Sequence, residues 1–282
     1  MIKRFLNYLL DVRDRQRIII ALTKGAAMMH ARNIDLTRPA TWEFSGFSQN
    51  GEDGILDVLR RQLLSSNRYF IEIGAADGID NNTAWLVVAE KYNGLMIEAN
   101  PRLVERAQRT IVGYSIGTEC QSMFVTRENA KTLKSMALPH DPDVFSLDID
   151  GNDYYIAQAI LDAGLRPKIF IVEYNSVYGP EKSMTIRYQE DFVFTKAHPT
   201  QLYYGVSIAG WRKFFQSRGY RFVTVDQNGV NAFFVDRQFF EEQFLSSVNG
   251  LDYAENRFQY RKYRRPSRDQ FSLISDQQFV SI

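Results

Sequence analysis

The sequence predicts an α/β protein with a Rossmann-like, doubly wound sheet whose strands are mostly parallel. Short apolar runs rich in β-formers alternate with segments of helical periodicity. The first run, Tyr69–Ile73, leads into a turn bounded by Gly74 and Gly78, an arrangement typical of nucleoside-binding corners. The pair Asn228-Gly229 lies between the last two runs and predicts a tight hairpin. The sheet should therefore end in an antiparallel edge strand.

Each apolar run can be placed in order along the chain. The patterns predict strands at 69–73, 94–98, within 114–125, 143–148, 168–173, 220–225 and 230–235, and helices at 48–64, 83–92, 101–111, from 126, 152–163 and 207–218. Asn50 is predicted to cap the helix at 48–64. Gly51 and Gly54 weaken the start of that helix, so a close approach of backbone or ligand is expected there.

The two ends of the chain flank this central domain. We divide the chain into an N-terminal helix and connector (1–47), the main domain (48–236) and a C-terminal helix with a basic and aromatic tail (237–282). Residues 2–24 should form a helix with an apolar face of Ile2, Phe5, Leu6 and Leu9. Packing against the domain or a second subunit is the favoured interpretation, so a homo-oligomer is expected; the alternative is contact with a membrane surface.

Composition excludes several classes of protein. The 282 residues are 45% hydrophobic and carry a net charge of +1, which supports a folded core and gives no reason to expect nucleic acid as a partner. The single cysteine, Cys120, fits a reducing compartment. The sequence lacks an apolar run of membrane-spanning length, and its charged N-terminal segment does not resemble a secretory signal. A cytoplasmic protein is expected.

The first glycine turn favours S-adenosylmethionine over a dinucleotide. Only Gly74 and Gly78 are present, so the Gly-x-Gly-x-x-Gly pattern that surrounds a pyrophosphate is missing. Glu72, inside the strand, supplies a carboxylate for a cationic amino-acid group. Glu98 ends the second strand, 20 residues after Gly78, where an acid accepts hydrogen bonds from ribose hydroxyls.

A second acidic stretch follows the fourth and fifth strands. Asp148 and Asp150 should point the same way at the carboxyl end of the sheet, and Glu173 with Asn175 should reach the same edge. Carboxylates this close repel one another unless a cation or proton is shared. An all-oxygen set suits Mg²⁺ or Mn²⁺. Asp153 either joins this group or caps the next helix.

Six motifs taken together resemble those of the FkbM-type S-adenosylmethionine-dependent methyltransferases. They are Ser48-Gln-Asn-Gly-Glu-Asp53, Ile71-Glu-Ile-Gly-Ala-Ala-Asp-Gly78, Ile97-Glu-Ala-Asn-Pro101, Asp148-Ile-Asp-Gly-Asn-Asp-Tyr154, Val172-Glu-Tyr-Asn175 and Asn231-Ala-Phe-Phe234. The resemblance covers about residues 48–235. It implies a class I methyltransferase fold with seven strands, the last antiparallel, and methyl transfer to a hydroxyl of a sugar or natural product.

The resemblance also implies a set of binding residues. Glu72, Gly74 and Gly78 would hold the methionine part of the cofactor and Glu98 the ribose, and the remaining cofactor-binding positions in these motifs are Ala75, Asp77, Ala99 and Asp148. The element at 150–154 is similar to the metal site of the macrocin O-methyltransferase group, in which paired acids follow the next strand. This sequence has Glu173 and Asn175 there instead.

Methyl transfer to a sugar hydroxyl requires help in removing its proton. Asp150, or Asp148, is the candidate general base, with a divalent cation as an alternative or additional means. His198 is a further candidate base, in a tyrosine-rich insertion at 175–204 that would form a lid or substrate wall. Two other interpretations remain open: a nicotinamide-dependent oxidoreductase, and a non-catalytic methyltransferase-like module of a glycan-assembly complex.

Overall fold

The centre of the molecule is a seven-stranded sheet. The computed structural model describes residues 2–111 and 113–282, with side chains from residue 8 onward. The strands are β1 Tyr69–Ile73, β2 Asn93–Glu98, β3 Thr118–Ser122, β4 Val144–Leu147, β5 Ile169–Glu173, β6 Met184–Ile186, β7 Tyr220–Val225, β8 Asn231–Asp236 and β9 Phe279–Ser281. The sheet order is β3-β2-β1-β4-β5-β8-β7, and β8, the last of these seven along the chain, runs antiparallel to the other six. It lies between β5 and β7, so the predicted antiparallel strand is present but is not the edge strand. This is the class I methyltransferase fold, which confirms the predicted fold class.

Helices flank the sheet on both faces. They are α1 Ile2–Ala31, α2 Glu52–Arg61, α3 Ala84–Val88, α4 Pro101–Ile111, α5 Leu133–Met136, α6 Asp153–Asp162, α7 Phe194–Ala197, α8 Ile208–Ser217, α9 Glu242–Ser247, α10 Arg257–Tyr263 and α11 Ser267–Phe271. Alternate residues of the strands point to opposite faces. Phe70 packs with α2, α3 and α4, and Ile71 packs with α6 and α8.

Helix α2 begins at a position where both of its glycines, Gly51 and Gly54, are required. The predicted cap residue, Asn50, is not the one observed. Gly51 occupies the cap position at φ 100°, and a Cβ on Gly54 would lie 2.1 Å from the carbonyl oxygen of Trp42. The backbone approach predicted at this site is therefore present. Asn50 precedes the cap position and does not cap the helix; its amide oxygen accepts from the side chain of Asn228, and its backbone and side-chain N–H groups donate to the carboxylate of Glu52.

The insertion and the tail form one structural unit. β6 pairs with β9 in a separate antiparallel ribbon. Buried side chains from both segments share a small core that includes Tyr178, Tyr203 and Ile274. The tail is therefore folded through α10, α11 and β9, although its sequence shows no period that indicates this.

Helix α1 is seven residues longer than the predicted helix at 2–24. Ile18 and Ala21 are buried in a cluster with Phe44 and Trp85, which fixes the helix against the domain. The side chains of Ile2, Phe5 and Leu6 lie outside the described residues. Leu9, the fourth member of the predicted face, is exposed. Within the described ranges, every helix is too short or too polar to cross a bilayer.

Candidate active site

Two adjoining cavities open where β1, β2, β4 and β5 end. They share Gly74, Asp80 and Asp148. The larger, of about 390 Å³, we name the nucleoside cavity; it is lined by Ile73, Gly74, Ala76, Asp80, Ile97, Glu98, Ala99, Met123, Phe124, Val125, Asp148, Ile149, Asp150, Asn152 and Phe192. The smaller, of about 220 Å³, we name the acidic cavity; it is lined by Ser48, Gln49, Asn50, Glu52, Glu72, Gly74, Asp80, Asn81, Asn82, Asp148, Glu173, Val230 and Asn231.

Gly74 allows the first turn to pass close to the neighbouring strand. Its φ is 89°, and a Cβ would lie 1.7 Å from the carbonyl oxygen of Asp148. The N–H groups of Gly74 and Ala75 both donate to the carbonyl of Ile97. Only glycine fits a position with both constraints. The turn therefore lies directly beneath the point where the two cavities meet.

Glu98 lies at the end of β2, as predicted, and lines the nucleoside cavity. One carboxylate oxygen accepts from the N–H of Ala76 at 3.1 Å, and the other accepts from the N–H of Asn100 at 2.8 Å. Ala99, exposed beside it, lines the same cavity. Glu98 therefore joins the glycine turn to the start of α4, and its carboxylate also faces the space predicted for ribose.

Glu72 is buried in the wall of the acidic cavity. It accepts from the N–H of Asn82 at 3.0 Å and from the hydroxyl of Thr83 at 2.5 Å. Burial raises its pKa to about 7, although these hydrogen bonds oppose the shift. The carboxyl group therefore titrates near neutral pH.

Three predicted cofactor residues, Ala75, Asp77 and Gly78, are not among the lining residues of either cavity, and each makes contacts with the fold. Ala75 is a core residue, and a Cβ on Gly78 would lie 2.9 Å from Cβ of Ala107 in α4, so that glycine permits helix packing. Asp77 forms ion pairs with Arg17 at 2.6 Å and Arg106 at 2.9 Å. Burial alone would raise the pKa of Asp77, but the two arginines hold it below its ordinary value.

Asp148, Asp150 and Glu173 converge in the structure. Each offers an oxygen, and these oxygens lie within 4.8 Å of one another. Burial, together with the charges of the other acids, raises the pKa of Asp148 and of Glu173 well above ordinary values. Burial also raises the pKa of Asp150, whose backbone has a φ of 52°. A non-glycine residue whose backbone is held at a positive φ beside a cavity is typical of a functional position.

Two neighbouring polar residues hold loops in place. Asp153 accepts from the N–H groups of Ile149 and Gly151, so it caps the turn before α6. The side-chain amide of Asn175 donates to the carbonyls of Leu202 and Tyr204, and its oxygen accepts from the N–H of Val177. Asn175, predicted as a metal ligand, thus ties β5 to the insertion, and the metal-ligand cluster in the described residues consists of Asp148, Asp150 and Glu173.

His198 lies away from the acids. It follows α7, and its Nδ1 forms a 2.8 Å hydrogen bond with the hydroxyl of Thr200. It is absent from the lining of both cavities, so the structure does not bring it together with the acids, and a role as base stays a prediction. The insertion instead contributes Phe192 to the nucleoside cavity.

Several site residues were not assigned roles from the sequence. Asn231, on β8, donates to Glu52 at 2.8 Å, which brings the first and last motifs together in the acidic cavity. Asn231 and Glu52 both lie within motifs of the FkbM-type resemblance, and this was the one indication in the sequence that they belong to the site. Tyr204 donates to Glu173 at 3.3 Å and accepts from the side-chain amide of Gln259 at 3.0 Å. No local pattern indicates that contact.

Comparisons with known proteins add resemblances of fold. No family model matches the sequence, and no curated protein matches it. An O-methyltransferase from Bacillus cereus in complex with SAH has a TM-score of 0.43 and 15% identity over 78% of this chain and 89% of that chain. The CurJ carbon methyltransferase has a TM-score of 0.45 and 12% identity over 83% and 70%. A SAM-dependent methyltransferase from Thiobacillus denitrificans, with S-adenosyl-L-homocysteine, has a TM-score of 0.37 and 14% identity over 60% and 64%.

Proposed function

We propose that this chain is an FkbM-type S-adenosylmethionine-dependent O-methyltransferase that acts on a hydroxyl of a sugar. The main support for this proposal is the negative charge of the two cavities. Their described lining includes the carboxylates of Glu52, Glu72, Asp80, Glu98, Asp148, Asp150 and Glu173 and no lysine, arginine or histidine. S-adenosylmethionine brings a sulfonium and an ammonium to its site, so acids stabilise it.

The same charge disfavours a nicotinamide dinucleotide. A pyrophosphate requires backbone amides or cations around it, and the carboxylates at Gly74 would repel it. The acidic cavity suits the ammonium group of the donor, and Glu72 is its partner in this proposal. The apolar wall of Ile97, Met123 and Val125 suits the adenine ring, with Glu98 at the ribose.

The chemical step is a displacement at carbon. The acceptor oxygen forms a bond to the methyl carbon, the carbon–sulfur bond breaks, and its electron pair stays on sulfur, which leaves S-adenosylhomocysteine. The hydroxyl proton passes to Asp150, whose carboxylate accepts no hydrogen bond from the described residues. A general base of this kind increases the reaction rate by roughly 10²–10⁴-fold. Phe192, packed against Gly151 beside it, offers an apolar face to the sugar ring.

The acidic cluster also fits a divalent cation. Oε2 of Glu173 is buried and has no hydrogen-bond partner among the described residues, and the available donors are all oxygens. Mg²⁺ or Mn²⁺ would be held by Asp148, Asp150 and Glu173. When bound, it would lower the pKa of a nearby hydroxyl. In either case the protein residues hold the acceptor and receive its proton.

Ligand binding tests the proposal directly. We expect titration calorimetry to detect S-adenosylhomocysteine binding and no heat from NAD, and S-adenosylhomocysteine to raise the melting temperature. A preference for NAD would identify an oxidoreductase instead. Binding without transfer of a labelled methyl group to glycans from the host cell would favour the non-catalytic module. A cytoplasmic location remains part of the proposal, supported by the unpaired Cys120.

A further inference from the structure

Helix α1 has a second apolar face that points away from the domain. Exposed fractions are 64% for Tyr8, 46% for Leu9, 62% for Ile19 and 65% for Ile20. At 100° per residue these four side chains lie on one side, together with Val12, Gln16, Thr23 and Ala27. Ile18 and Ala21 lie on the opposite side and are buried. We name the exposed side the outer stripe. Its large aliphatic residues lack the cover that such residues receive in a core.

Positive charge borders the outer stripe on both sides. Arg15 lies along one edge, and Arg13 and Lys24 lie along the other, all exposed. The acids of the same helix face the domain: Asp14 is buried and paired with Arg106, and Asp11 lines a groove between α1 and α4. The exposed side of the described helix, residues 8–31, thus combines aliphatic side chains with cations and carries no acid. This combination is typical of helices that lie in the surface of an anionic bilayer.

A second copy of the chain fits this surface less well. A symmetric contact between two outer stripes would bring Arg13, Arg15 and Lys24 of one copy against the same residues of the other. Arg13 lies 3.7 Å from the buried carboxylate of Asp14, whereas Arg15 and Lys24 have no carboxylate partner among the described residues. Like charges across an interface are unfavourable. An anionic lipid surface satisfies both the aliphatic side chains and the cations.

A second basic surface, on α10 and the segment after it, lies near the end of α1. Met28, near its end, and Arg257, at the start of α10, line one surface cavity with Gln49 and Asn50. From Arg257 to Arg268 the chain has six exposed basic residues and no acid, and only Arg268 forms an ion pair within the described part of the chain. Phe258 and Tyr260 on α10 are also exposed, at 55% and 49%. Gln49 and Asn50 line the acidic cavity as well, so this surface borders the candidate active site.

We propose that the outer stripe of α1 docks on an anionic lipid surface, with the basic residues of α10 extending the contact. Helix α1 also reaches the first turn of the site, since Arg17 pairs with Asp77 and Asp80. Docking would therefore hold the cavity entrance near the bilayer. The proposal does not rest on methyl transfer.

Vesicle flotation tests this docking with the full chain. We expect co-flotation with phosphatidylcholine vesicles containing about 30% phosphatidylglycerol, and little with phosphatidylcholine alone. Ile19→Ser/Ile20→Ser should lower the bound fraction about tenfold, and Arg13→Gln/Arg15→Gln/Lys24→Gln should do so by a similar factor. Leu64→Ser/Ile116→Ser, which removes two exposed aliphatic side chains elsewhere, should leave binding unchanged.

Three results would overturn the proposal. They are no flotation with the anionic vesicles, an equal loss in the Leu64→Ser/Ile116→Ser control, and a dimer in light scattering that Ile19→Ser/Ile20→Ser dissociates. The last result would assign the stripe to a second copy. S-adenosylhomocysteine affinity should be the same in every variant, so a failure of docking is distinguishable from a failure of the proposed function.

Discussion

The hydroxyl of Tyr204 donates to Oε1 of Glu173 at 3.3 Å, in the buried wall behind the acidic cluster. Gln259 of α10 donates to the same hydroxyl. The C-terminal tail therefore holds Tyr204 in place, and Tyr204 in turn holds the carboxylate of Glu173. The other oxygen of Glu173 has no hydrogen-bond partner in the described ranges. Tyr204 is therefore a positioning residue that leaves one oxygen of Glu173 available.

Tyr204→Phe should lower kcat about tenfold and leave S-adenosylhomocysteine affinity unchanged. The reason is that a hydrogen bond to a charged group contributes about 1.5–3 kcal/mol, and its loss frees the carboxylate to reorient. Tyr220→Phe is the matched control, since the hydroxyl of that buried tyrosine donates to the backbone carbonyl of Pro167 instead. Equal kcat losses in both variants would show that Tyr204 acts only through stability.

Asp150→Asn should lower turnover by roughly 10²-fold or more, because the amide keeps the shape and removes the basicity. Cofactor affinity should barely change. Asp162→Asn, an exposed acid at the end of α6, serves as the control. Full activity of the wild type in EDTA would leave Asp150 as a simple base, whereas full activity of Asp150→Asn would exclude it from the mechanism.

Glu98→Ala should weaken S-adenosylhomocysteine binding at least tenfold, since charge-assisted hydrogen bonds contribute about 1.5–3 kcal/mol. The variant also removes the acceptor for the N–H groups of Ala76 and Asn100, so its melting temperature must be measured alongside. Glu105→Ala, exposed on α4, is the control. An unchanged affinity in calorimetry would remove Glu98 from the cofactor site.

Stability should fall as pH rises because of Glu72. Its pKa is raised from 4.5 to about 7, so the folded state binds this proton more tightly than the unfolded state does. The free energy of unfolding then decreases between about pH 4.5 and pH 7, with a slope near 1.4 kcal/mol per pH unit for one group. Glu72→Gln mimics the protonated form and should reduce the slope of melting temperature against pH, with the remainder due to Glu43, Asp53 and Asp153, whose pKa values burial also raises. An identical slope in the two proteins would contradict the assignment.

Gly74→Ala should destabilise the fold by several kcal/mol, since its Cβ would meet the carbonyl of Asp148 and its φ is positive. Gly219→Ala isolates the effect of φ, because Gly219 has a φ of 84° and its Cβ position is near only a side-chain nitrogen of Arg166, at 4.0 Å. Urea denaturation should show a loss of only about 1 kcal/mol for that control. Similar losses in both variants would exclude the close approach as the cause.

The sequence alone determined the order of the main strands and helices along the chain and the acids at the strand ends. Alternation and glycine turns are local, and parallel strands bring their carboxyl ends to one edge. Glu98, Asp148, Asp150 and Glu173 could therefore be placed together without coordinates. The resemblance implies Asp77 and Gly78 at the cofactor, but their contacts with Arg17, Arg106 and Ala107 could not be read from the sequence.

Only the tertiary structure decided which side chains meet across loops. Asp77 accepts a hydrogen bond from Arg17, 60 positions away in the chain. Glu52 accepts one from Asn231, 179 positions away. The tail looks polar and aperiodic, yet it folds against the insertion and supports Glu173 through Tyr204. Such contacts depend on how irregular segments pack, and no periodicity in the chain encodes them. Strand ends are fixed by backbone geometry, whereas loop contacts are fixed by the fit of particular side chains.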